Sequence, residues 1–417
     1  MTQSPLHVLI VGGGLGGLCL AQGLRQAGIS TAVYERDSTP GFRRQGYRLH
    51  IDARGATALR SCLPSDLFEL FLATTSQLSH QITVFNKHLR ILKTPGSPAV
   101  NNTDPARFST AVDRLTLREI LLAGLDDLVY FNKEYCRYEQ LADGSVQVFF
   151  ADGTDARGDV LVAADGVNSR IRQQLLPEAA VVDTGTRCIY GKTRLTASVQ
   201  SLLPAALQQG FSVVVGSHAS LAMGLVKFLH PPAEAAACFV PTVQFHTSGD
   251  YLMWSLNAQR AQFAASDGEL FQMNSLQLQE LVLRKIKSWH PDLRALIAAS
   301  ESEETFPIAV RVSTPCDPWP ATPVTLLGDS IHAMSPAGGS GANMALLDAH
   351  LLLQALISVA DGKKPLLQAL REYEIPMLEA GFAAVRFSAN GGVLNASIAT
   401  EKTLLQRLKR VVKRRWR

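Results

Sequence analysis

The sequence predicts an α/β protein in which a Rossmann-like domain is interleaved with a mainly antiparallel β-sheet domain and followed by C-terminal helices. Three observations support this fold class. A glycine-rich turn joins a strand to a helix within residues 7–37, and two later strand ends carry Asp-Gly and Gly-Asp pairs. Residues 179–306 contain short β-rich segments separated by turn residues, which favours antiparallel pairing there.

Size and composition indicate a globular chain with more than one structural unit. Its 417 residues exceed what one hydrophobic core usually holds, and 47% hydrophobic with 18% charged residues exclude a disordered chain. The six cysteines form no Cys-x-x-Cys pair, which argues against a metal site or a disulfide framework. Because a signal-peptide pattern and a run of about 20 apolar residues are both lacking, we expect a cytoplasmic protein.

The first element is a strand–turn–helix–strand unit. An apolar run at 8–11 meets a Gly-x-Gly-x-x-Gly turn, a helical pattern follows up to Gly28, and a second β-rich run ends in an acid. The turn glycines and the acid are Gly12, Gly14, Gly17 and Glu35. Their spacing of about 20 residues is typical of a dinucleotide-binding site. A purely structural glycine turn is the weaker interpretation.

Each of these residue types has a physical reason. Gly12 permits the tight turn, Gly14 lets the backbone approach a pyrophosphate, and Gly17 lets the helix pack close to the strand. The helix N-terminus attracts the phosphates. Glu35, which Arg36 follows, can accept hydrogen bonds from ribose hydroxyls. The pattern therefore favours FAD or NAD over NADP at this site.

Two later strand ends complete the pattern. Residues 145–172 contain the runs "SVQVFF" and "DVLVAADG", which predict an antiparallel hairpin that returns to the main sheet. The second run continues as "ADGVNSRIR". Residues 326–356 begin with "LLGDS", pass through a glycine-rich turn and enter a long helical pattern. Such a turn suits a ligand that needs close backbone approach and a helix N-terminus.

Together these motifs resemble the flavin-dependent aromatic hydroxylases of the p-hydroxybenzoate hydroxylase fold, the single-component group A monooxygenases. The resemblance implies that the N-terminal glycines hold the FAD pyrophosphate. It also implies that Asp165-Gly166 serves FAD binding and NAD(P)H use, that Asp329 meets the FAD ribitol, and that the segment from Pro336 to Asn343 surrounds the isoalloxazine. The predicted cofactor contacts are Gly12, Gly14, Gly17, Glu35, Arg36, Arg114, Asp165, Gly166, Asp329, Gly339, Gly341, Ala342 and Asn343.

Two kinds of site residue stay open at this stage. Arg114 matches a family arginine that contacts FAD, but a solvated arginine in the first turn of a capped helix is a competing interpretation. No residue is predicted to be catalytic in its own right, because the flavin carries the chemistry. Arg44, His332 and Pro336 are candidates by their position near the flavin, and His332 could equally be a core histidine.

The domain prediction follows the motifs. Residues 1–78, 108–178 and 307–360 are assigned to an FAD-binding domain, 79–107 and 179–306 to a substrate domain, and 361–417 to a C-terminal helical segment. We expect the substrate domain to form a sheet with a mostly apolar pocket, and a helix at about 275–299 divided by Pro291. Its polar residues His218, Lys227, His246, Tyr190 and Arg194 show no pattern that marks an acid or a base.

The resemblance implies an FAD-dependent monooxygenase that needs no metal. NAD(P)H would reduce FAD, O2 would form a flavin C4a-hydroperoxide, and the distal oxygen would pass to an aromatic or polyunsaturated carbon. The segment "PAGGSGANMALLDA" is similar to members that act on secondary metabolites or antibiotics, including tetracycline-inactivating monooxygenases. A reductase similar to polyprenyl reductases and a non-catalytic flavin-binding sensor remain alternatives. A flavin halogenase is disfavoured because the Trp-x-Trp-x-Ile-Pro motif is missing.

Charge is concentrated at the C-terminal end. Residues 401–417 carry eight Lys or Arg and one Glu, so the rest of the chain is slightly acidic despite a net charge of +4. The segment 402–417 places its apolar residues near one helical face, which favours either contact with an anionic membrane surface or a docked or frayed terminal helix. Expected partners are a small-molecule substrate, O2 and NAD(P)H, with no nucleic acid, in a monomer or homodimer.

Overall fold

The computed structural model describes residues 6–39, 46–76, 82–94, 108–208, 210–246, 249–300 and 304–391. Its strands are β1 (His7–Val11), β2 (Ser30–Tyr34), β3 (Arg48–Asp52), β4 (Ile82–Asn86), β5 (Ile91–Lys93), β6 (Ser109–Asp113), β7 (Val129–Tyr130), β8 (Tyr135–Gln140), β9 (Val146–Phe150), β10 (Asp155–Gly158), β11 (Val160–Ala163), β12 (Val181–Arg194), β13 (Phe211–Val215), β14 (Ser220–Val226), β15 (Tyr251–Gln259), β16 (Phe306–Ser313) and β17 (Val324–Leu326). Its α-helices are α1 (Leu15–Gln26), α2 (Ala53–Cys62), α3 (Ser65–Ala73), α4 (Arg114–Leu122), α5 (Arg170–Leu175), α6 (Ala197–Leu202), α7 (Pro232–Phe239), α8 (Asp267–Gln272), α9 (Ser275–Lys285), α10 (Pro291–Ala298), α11 (Asp329–His332), α12 (Gly341–Ala360) and α13 (Leu366–Ala389).

A five-stranded parallel sheet forms the centre of what we name the Rossmann unit. Its order is β17-β11-β1-β2-β7, so strands from three distant parts of the chain lie side by side. Helices α1, α2, α12 and α13 pack together beside it. The central strands β1 and β11 are almost wholly buried, as expected for parallel strands covered on both faces.

The hairpin predicted within residues 145–172 is wrong in its pairing. β9 pairs with β10 in a separate antiparallel sheet of order β10-β9-β8, whereas β11 pairs in parallel with β1 and β17. The burial patterns explain the difference. β9 alternates between buried and half-buried residues, while all four residues of β11 are buried. An unbroken apolar run is typical of a parallel strand in the middle of a sheet.

A second, seven-stranded sheet of order β16-β12-β15-β14-β13-β4-β5 defines the seven-stranded unit. It is antiparallel except for the parallel pair of β13 and β4. Along β15, Leu252, Trp254 and Leu256 pack into a core with α9 and α10, whereas Met253, Ser255 and Asn257 on the opposite face line a cavity. The predicted division of the helical pattern at Pro291 is confirmed, because α10 begins there.

A buried ionic cluster connects the two units. Asp113, at the end of β6, is fully buried and accepts a hydrogen bond of 2.7 Å from the Tyr251 hydroxyl. The Lys192 ammonium on β12 lies 3.3 Å from Asp113 and 3.0 Å from Glu304. Because a buried charge is stable only when it is paired, this cluster couples the position of β6 to that of the seven-stranded sheet.

Helix α12 is the one described helix that is long and apolar enough to cross a membrane by length and composition. It packs against α1, α2 and α13, and its first two residues line the cavity. A buried core helix passes the same test. The long helix α13 follows it, and the basic segment 402–417 lies outside the described residues.

Candidate functional site

A cavity of about 1920 Å³ lies between the Rossmann unit and the seven-stranded unit. On one side it is lined by the residues that follow β1, β2, β11 and β17, which are the carboxyl ends of the parallel strands. Ligands of open α/β sheets bind at this edge. On the other side the cavity meets one face of β12 to β15. The predicted motifs are therefore brought together along one wall.

In the glycine turn after β1, two glycines are closely packed against backbone and a third borders open space. Gly12 has φ +113°, and a Cβ there would overlap the carbonyl oxygen of Ala164. A Cβ on Gly17 would overlap the carbonyl oxygen of Gly12. At Gly14 nothing lies within 4 Å of such a Cβ, and this residue faces the cavity at the N-terminus of α1. Gly14 thus leaves the helix N-terminus open to an anionic ligand.

Glu35 fixes the turn from the end of β2. Its buried carboxylate accepts hydrogen bonds from the backbone N–H of Gly13 at 2.7 Å and of Asp37 at 2.9 Å. Each carboxylate oxygen can accept a further bond, and Glu35 lines the cavity. Arg36 beside it is exposed and also lines the cavity.

Helix α4 supplies two arginines one turn apart. Asp113 caps the helix by accepting from Thr116 N–H at 2.9 Å, as the sequence indicated. Arg114 lines the cavity with its guanidinium 5.6 Å from the Tyr47 ring centre, so it is not a merely solvated surface arginine. Arg118, which the sequence analysis missed, donates from Nε to the Gly13 carbonyl at 3.1 Å. Its four-residue spacing from Arg114 was the available signal.

The Asp-Gly turn after β11 places a buried carboxylate at the cavity. Asp165 accepts from Arg170 N–H at 3.0 Å through Oδ2, while its buried Oδ1 has no partner among the described residues. Burial raises the pKa of Asp165. Gly166 follows with φ +80°. Arg172 donates to the Ser330 carbonyl at 2.8 Å and thereby ties this turn to α11.

The Gly-Asp turn after β17 is held in place by the buried carboxylate of Asp348. The Gly328 N–H donates to Asp348 at 2.9 Å, and His332 Nε2 lies 2.6 Å from the same carboxylate oxygen. Burial alone lowers the pKa of His332, but the Asp348 carboxylate outweighs it and the pKa is raised. Asp329 itself lines the cavity, and burial raises its pKa against the opposing charges of His332 and Arg114.

The glycine-rich turn before α12 forms the next stretch of wall. Pro336, Gly339, Gly341 and Ala342 all line the cavity, and Gly339 has φ +59°. The Ser340 side chain at the N-cap of α12 makes no capping hydrogen bond, so the first N–H groups of the helix remain available at the cavity.

Asn343 is turned away from this wall. Its amide donates to the His50 carbonyl at 2.8 Å and the Gly339 carbonyl at 3.2 Å, and its oxygen accepts from Asp52 N–H at 2.9 Å. Asn343 is fully buried and holds β3 against the turn. Its contribution to a ligand site therefore passes through the backbone that it positions.

The remaining candidates are dispersed. Tyr190 and Lys227 line the cavity, whereas His246 lies outside it and bonds Glu119 at 2.7 Å. His218 and Arg194 are also absent from the cavity wall. His332 is fully buried behind the turn, which makes it a positioning residue. Arg44 lies outside the described residues.

The residues present fit FAD. The open helix N-terminus at Gly14, the unpartnered Asp165 oxygen and the uncapped start of α12 lie along one cavity wall. They offer N–H donors to phosphates and to a flavin ring edge, with carboxylates for hydroxyl groups between them. The cavity volume also leaves room for a second molecule beside the cofactor, because small-molecule sites usually measure about 300–1,000 Å³.

Comparison with protein families decides between the dinucleotides. A family model described as an FAD binding domain matches residues 124–388, and one described as an NAD(P)-binding Rossmann-like domain matches residues 10–63. The chain belongs to the FAD-binding domain family. The predicted fold class and the predicted cofactor, FAD, are thereby confirmed.

Individual FAD proteins extend this match. The chain is 34% identical to the dual O-methyltransferase/FAD-dependent monooxygenase CTB3 of Cercospora beticola, with 96% of this chain and 46% of that protein covered. It thus spans about half the length of that curated relative. It is 26% identical to the FAD-dependent monooxygenase thnD of Trichoderma harzianum, with 97% of each covered. A Photorhabdus luminescens crystal structure, provisionally described as an FAD-containing monooxygenase, is 32% identical with a TM-score of 0.77, covering 93% of this chain and 99% of that one.

Proposed function

We propose that this chain is an FAD-dependent monooxygenase that uses NAD(P)H and O2 to hydroxylate or epoxidise an aromatic or polyunsaturated small molecule. One observation carries the proposal: the cavity continues from the glycine turn, past Asp329 and the start of α12, to an apolar wall on the seven-stranded sheet. A cofactor held along the first wall would therefore present its reacting ring to a second compartment. Proteins similar to this chain are named FAD-dependent monooxygenases, which supports the same reaction class.

The positions of the residues along the cavity support the cofactor contacts that we propose. The N–H groups after Gly12 would hold the pyrophosphate, with Glu35 and Arg36 at the adenosine end. Arg114, Asp165, Gly166 and Asp329 would face the middle of the cofactor. Gly339, Gly341 and Ala342 would lie against the flavin ring, where Pro336 shapes the turn. Asn343 and Gly17 would act through the backbone that they position.

The bound flavin would supply electron transfer and oxygen activation. The chain's own work is to orient and to exclude water. Tyr47 and Tyr190, with ring centres 5.4 Å apart, and Met253 would enclose the substrate on the seven-stranded side. The uncapped N-terminus of α12 would stabilise negative charge on the ring of a reduced cofactor. A water-poor compartment limits the loss of activated oxygen as H2O2.

The domain assignment also stays a proposal. Residues 1–78, 108–178 and 307–360 would bind FAD, 79–107 and 179–306 would bind substrate, and 361–417 would be a C-terminal helical segment with a basic tail. We also propose a cytoplasmic monomer or homodimer acting on a secondary metabolite. The relatives from Cercospora and Trichoderma are named monooxygenases, which is compatible with this role.

The test starts with the visible spectrum of the desalted protein after incubation with FAD. Flavin bands that bleach with NADPH under anaerobic conditions, and substrate-stimulated O2 uptake with one ¹⁸O atom entering the product, are the expected results. No flavin bands after incubation would overturn the proposal. Reduction of an alkene without O2 would support a reductase of the same fold instead. NADPH oxidation that no aromatic compound accelerates would favour a sensor.

A matched pair of variants sharpens this test. Asp329→Asn keeps the size of a side chain that lines the cavity and removes its charge, so flavin retention or its rate of reduction should fall. Asp361→Asn removes an exposed carboxylate that pairs with Lys363 far from the cavity, and it should leave both quantities unchanged. Equal behaviour of the two variants would contradict the role of Asp329.

A further inference from the structure

The charged groups of the cavity are distributed unevenly. Its described carboxylates come from the Rossmann unit and its neighbouring segments, and they are Glu35, Asp37, Asp52, Glu134, Asp165 and Asp329. The face of β12 to β15 contributes apolar and neutral polar side chains, and the described residues there include no carboxylate. Two cations, Arg48 and Lys227, stand near this face. A ligand in this compartment therefore meets two cations on a face whose described residues carry no carboxylate.

Arg48 reaches from β3 across the interface towards the seven-stranded sheet. Its guanidinium lies 5.4 Å from the centre of the Phe211 ring on β13. A Cβ on Gly224 of β14 would lie 2.7 Å from Arg48 Cδ, so a glycine there makes room for the side chain. The Arg48 side chain is thus held in place by packing, with one surface of the guanidinium against an aromatic ring.

The same guanidinium lacks an anionic partner in the described part of the chain. Its Nε is buried and makes no hydrogen bond. Asp113 lies directly opposite Arg48 in the β3–β6 pair, but its carboxylate is engaged by Tyr251 and Lys192. Burial lowers the pKa of Arg48 to about 10, so it remains charged at neutral pH. A half-buried cation without a partner is costly unless a ligand supplies one.

Two other features of the cavity that could pair with the Arg48 charge already contact other arginines. Asp52, at the other end of β3, is bonded to Arg54 at 2.6 Å. At the glycine turn, which suits the FAD pyrophosphate, the arginine in contact is Arg118, which bonds the Gly13 carbonyl. A planar guanidinium fork that packs on a phenyl ring matches a carboxylate or a phenolate on an aromatic molecule.

We propose that Arg48 binds an anionic oxygen group of the substrate, a carboxylate or an ionised phenol on an aromatic ring, and so orients that ring beside Phe211. This inference rests on the proposed function, because it places the substrate in the compartment next to the flavin. It makes Arg48 a specificity-determining residue. An acidic aromatic compound is then the preferred substrate class over its neutral analogue.

The test compares two probes of equal shape, 2-naphthoate and 2-naphthamide, by isothermal titration calorimetry on the FAD-loaded protein. We expect the naphthoate to bind about 10- to 100-fold more tightly, the range for a hydrogen-bonded charge pair. Arg48→Gln should abolish this preference, and Arg48→Lys should retain part of it. Arg60→Gln is the matched control, because Arg60 also lies over a phenylalanine ring, that of Phe68, but outside the cavity.

Three outcomes would overturn the proposal. They are equal affinities for the two probes, no binding of either probe, and a preference that survives Arg48→Gln. The variants are also titrated with NADPH, since its phosphates are anionic too. A selective loss of NADPH affinity with unchanged naphthoate preference would assign Arg48 to the nucleotide. Because calorimetry needs no turnover, a protein that binds naphthoate through Arg48 yet takes up no O2 would refute the proposed function alone.

Discussion

The two walls of the cavity are built by different means. On the Rossmann side, the wall offers backbone N–H groups at strand ends and helix N-termini, and a Cβ on Gly12 or Gly17 would overlap neighbouring backbone. On the seven-stranded side, the wall consists of side chains that alternate along strands far apart in sequence. Backbone recognition imposes a fixed order of residue types and leaves a motif, whereas side-chain recognition needs only a suitable surface.

The largest expected effect would separate the two functions of the glycine turn. Gly12→Ala places a Cβ against Ala164 at a φ of +113°, so both the fold of the turn and FAD binding should be lost. Gly14→Ala has open space and φ −81°, so the apoprotein should keep its melting temperature while FAD affinity falls at least about 100-fold. Thermal unfolding of the apoproteins and FAD titration measure the two effects.

Two results would contradict this distinction between Gly12 and Gly14. If Gly14→Ala lowers the melting temperature as much as Gly12→Ala, the turn is a structural element only. If Gly14→Ala binds FAD normally, the backbone wall is not where the pyrophosphate lies.

A second prediction concerns the junction between the walls. Lys192→Met leaves the buried Asp113 and the Glu304 carboxylate without their ammonium, and unfolding free energy should fall by about 3 kcal/mol. Urea denaturation monitored by tryptophan fluorescence provides the measurement. Lys133→Met is the control, because Lys133 pairs with a loop carboxylate at the surface, Asp152, and its loss should lower the unfolding free energy much less. Equal losses in the two variants would show that burial of the cluster carries no special weight.

A third prediction concerns Glu374, a buried carboxylate for which the described residues show a hydroxyl partner and no ion pair. Glu374 on α13 is fully buried and accepts from the Thr325 hydroxyl at 3.0 Å, and burial raises its pKa to about 7. The folded state therefore favours the protonated form, and stability is lost as the pH rises from about 4.5 to about 7. Glu374→Gln should be more stable than the wild type by about 3 kcal/mol at pH 8 and nearly equal to it at pH 4.5.

Denaturation curves at both pH values check this sign. Glu372→Gln, an exposed neighbour on the same helix that pairs with Lys364, is the control and should show no gain at pH 8. A Glu374→Gln variant that is less stable than the wild type at pH 8 would mean that this carboxylate has a cationic partner after all.

The smallest expected effect tests the side chain that supports the backbone wall. Arg118→Met removes the bond to the Gly13 carbonyl, and FAD affinity should fall about 10-fold because the turn becomes less ordered. Fluorescence titration with FAD measures the change. Arg137→Met removes an exposed arginine of β8 and should have no effect on FAD affinity.

The limits of sequence analysis follow the same division. The sequence predicted that Gly12, Glu35 and Asp329 lie together, and all three line the cavity, because each stands at a fixed distance from a strand end. Arg118 was missed because its bond to the Gly13 carbonyl joins residues 105 positions apart, although its spacing from Arg114 offered a hint. The pairing of β9 with β10 was missed because the short strand β10 resembles a turn in sequence, while its apolar neighbour β11 belongs to the parallel sheet.

The contacts of the residues that join the two walls could not be predicted from the sequence. Arg48 becomes informative only when Phe211 and Gly224 lie beside it and Asp113 is already paired. Each of these contacts spans more than sixty residues of sequence, and no local pattern encodes such a meeting. Tertiary packing decides them.

The Asn343 amide has a consequence for how the protein is made. It bonds the backbone of His50 and Asp52, which the ribosome delivers almost three hundred residues earlier. During synthesis β3 therefore lacks its bonds to Asn343 until the whole seven-stranded sheet has been translated. Chains whose contacts join distant segments fold slowly and expose unfinished surfaces for longer. The cofactor site is thus completed late in translation, and FAD can bind to and stabilise a chain that has already folded.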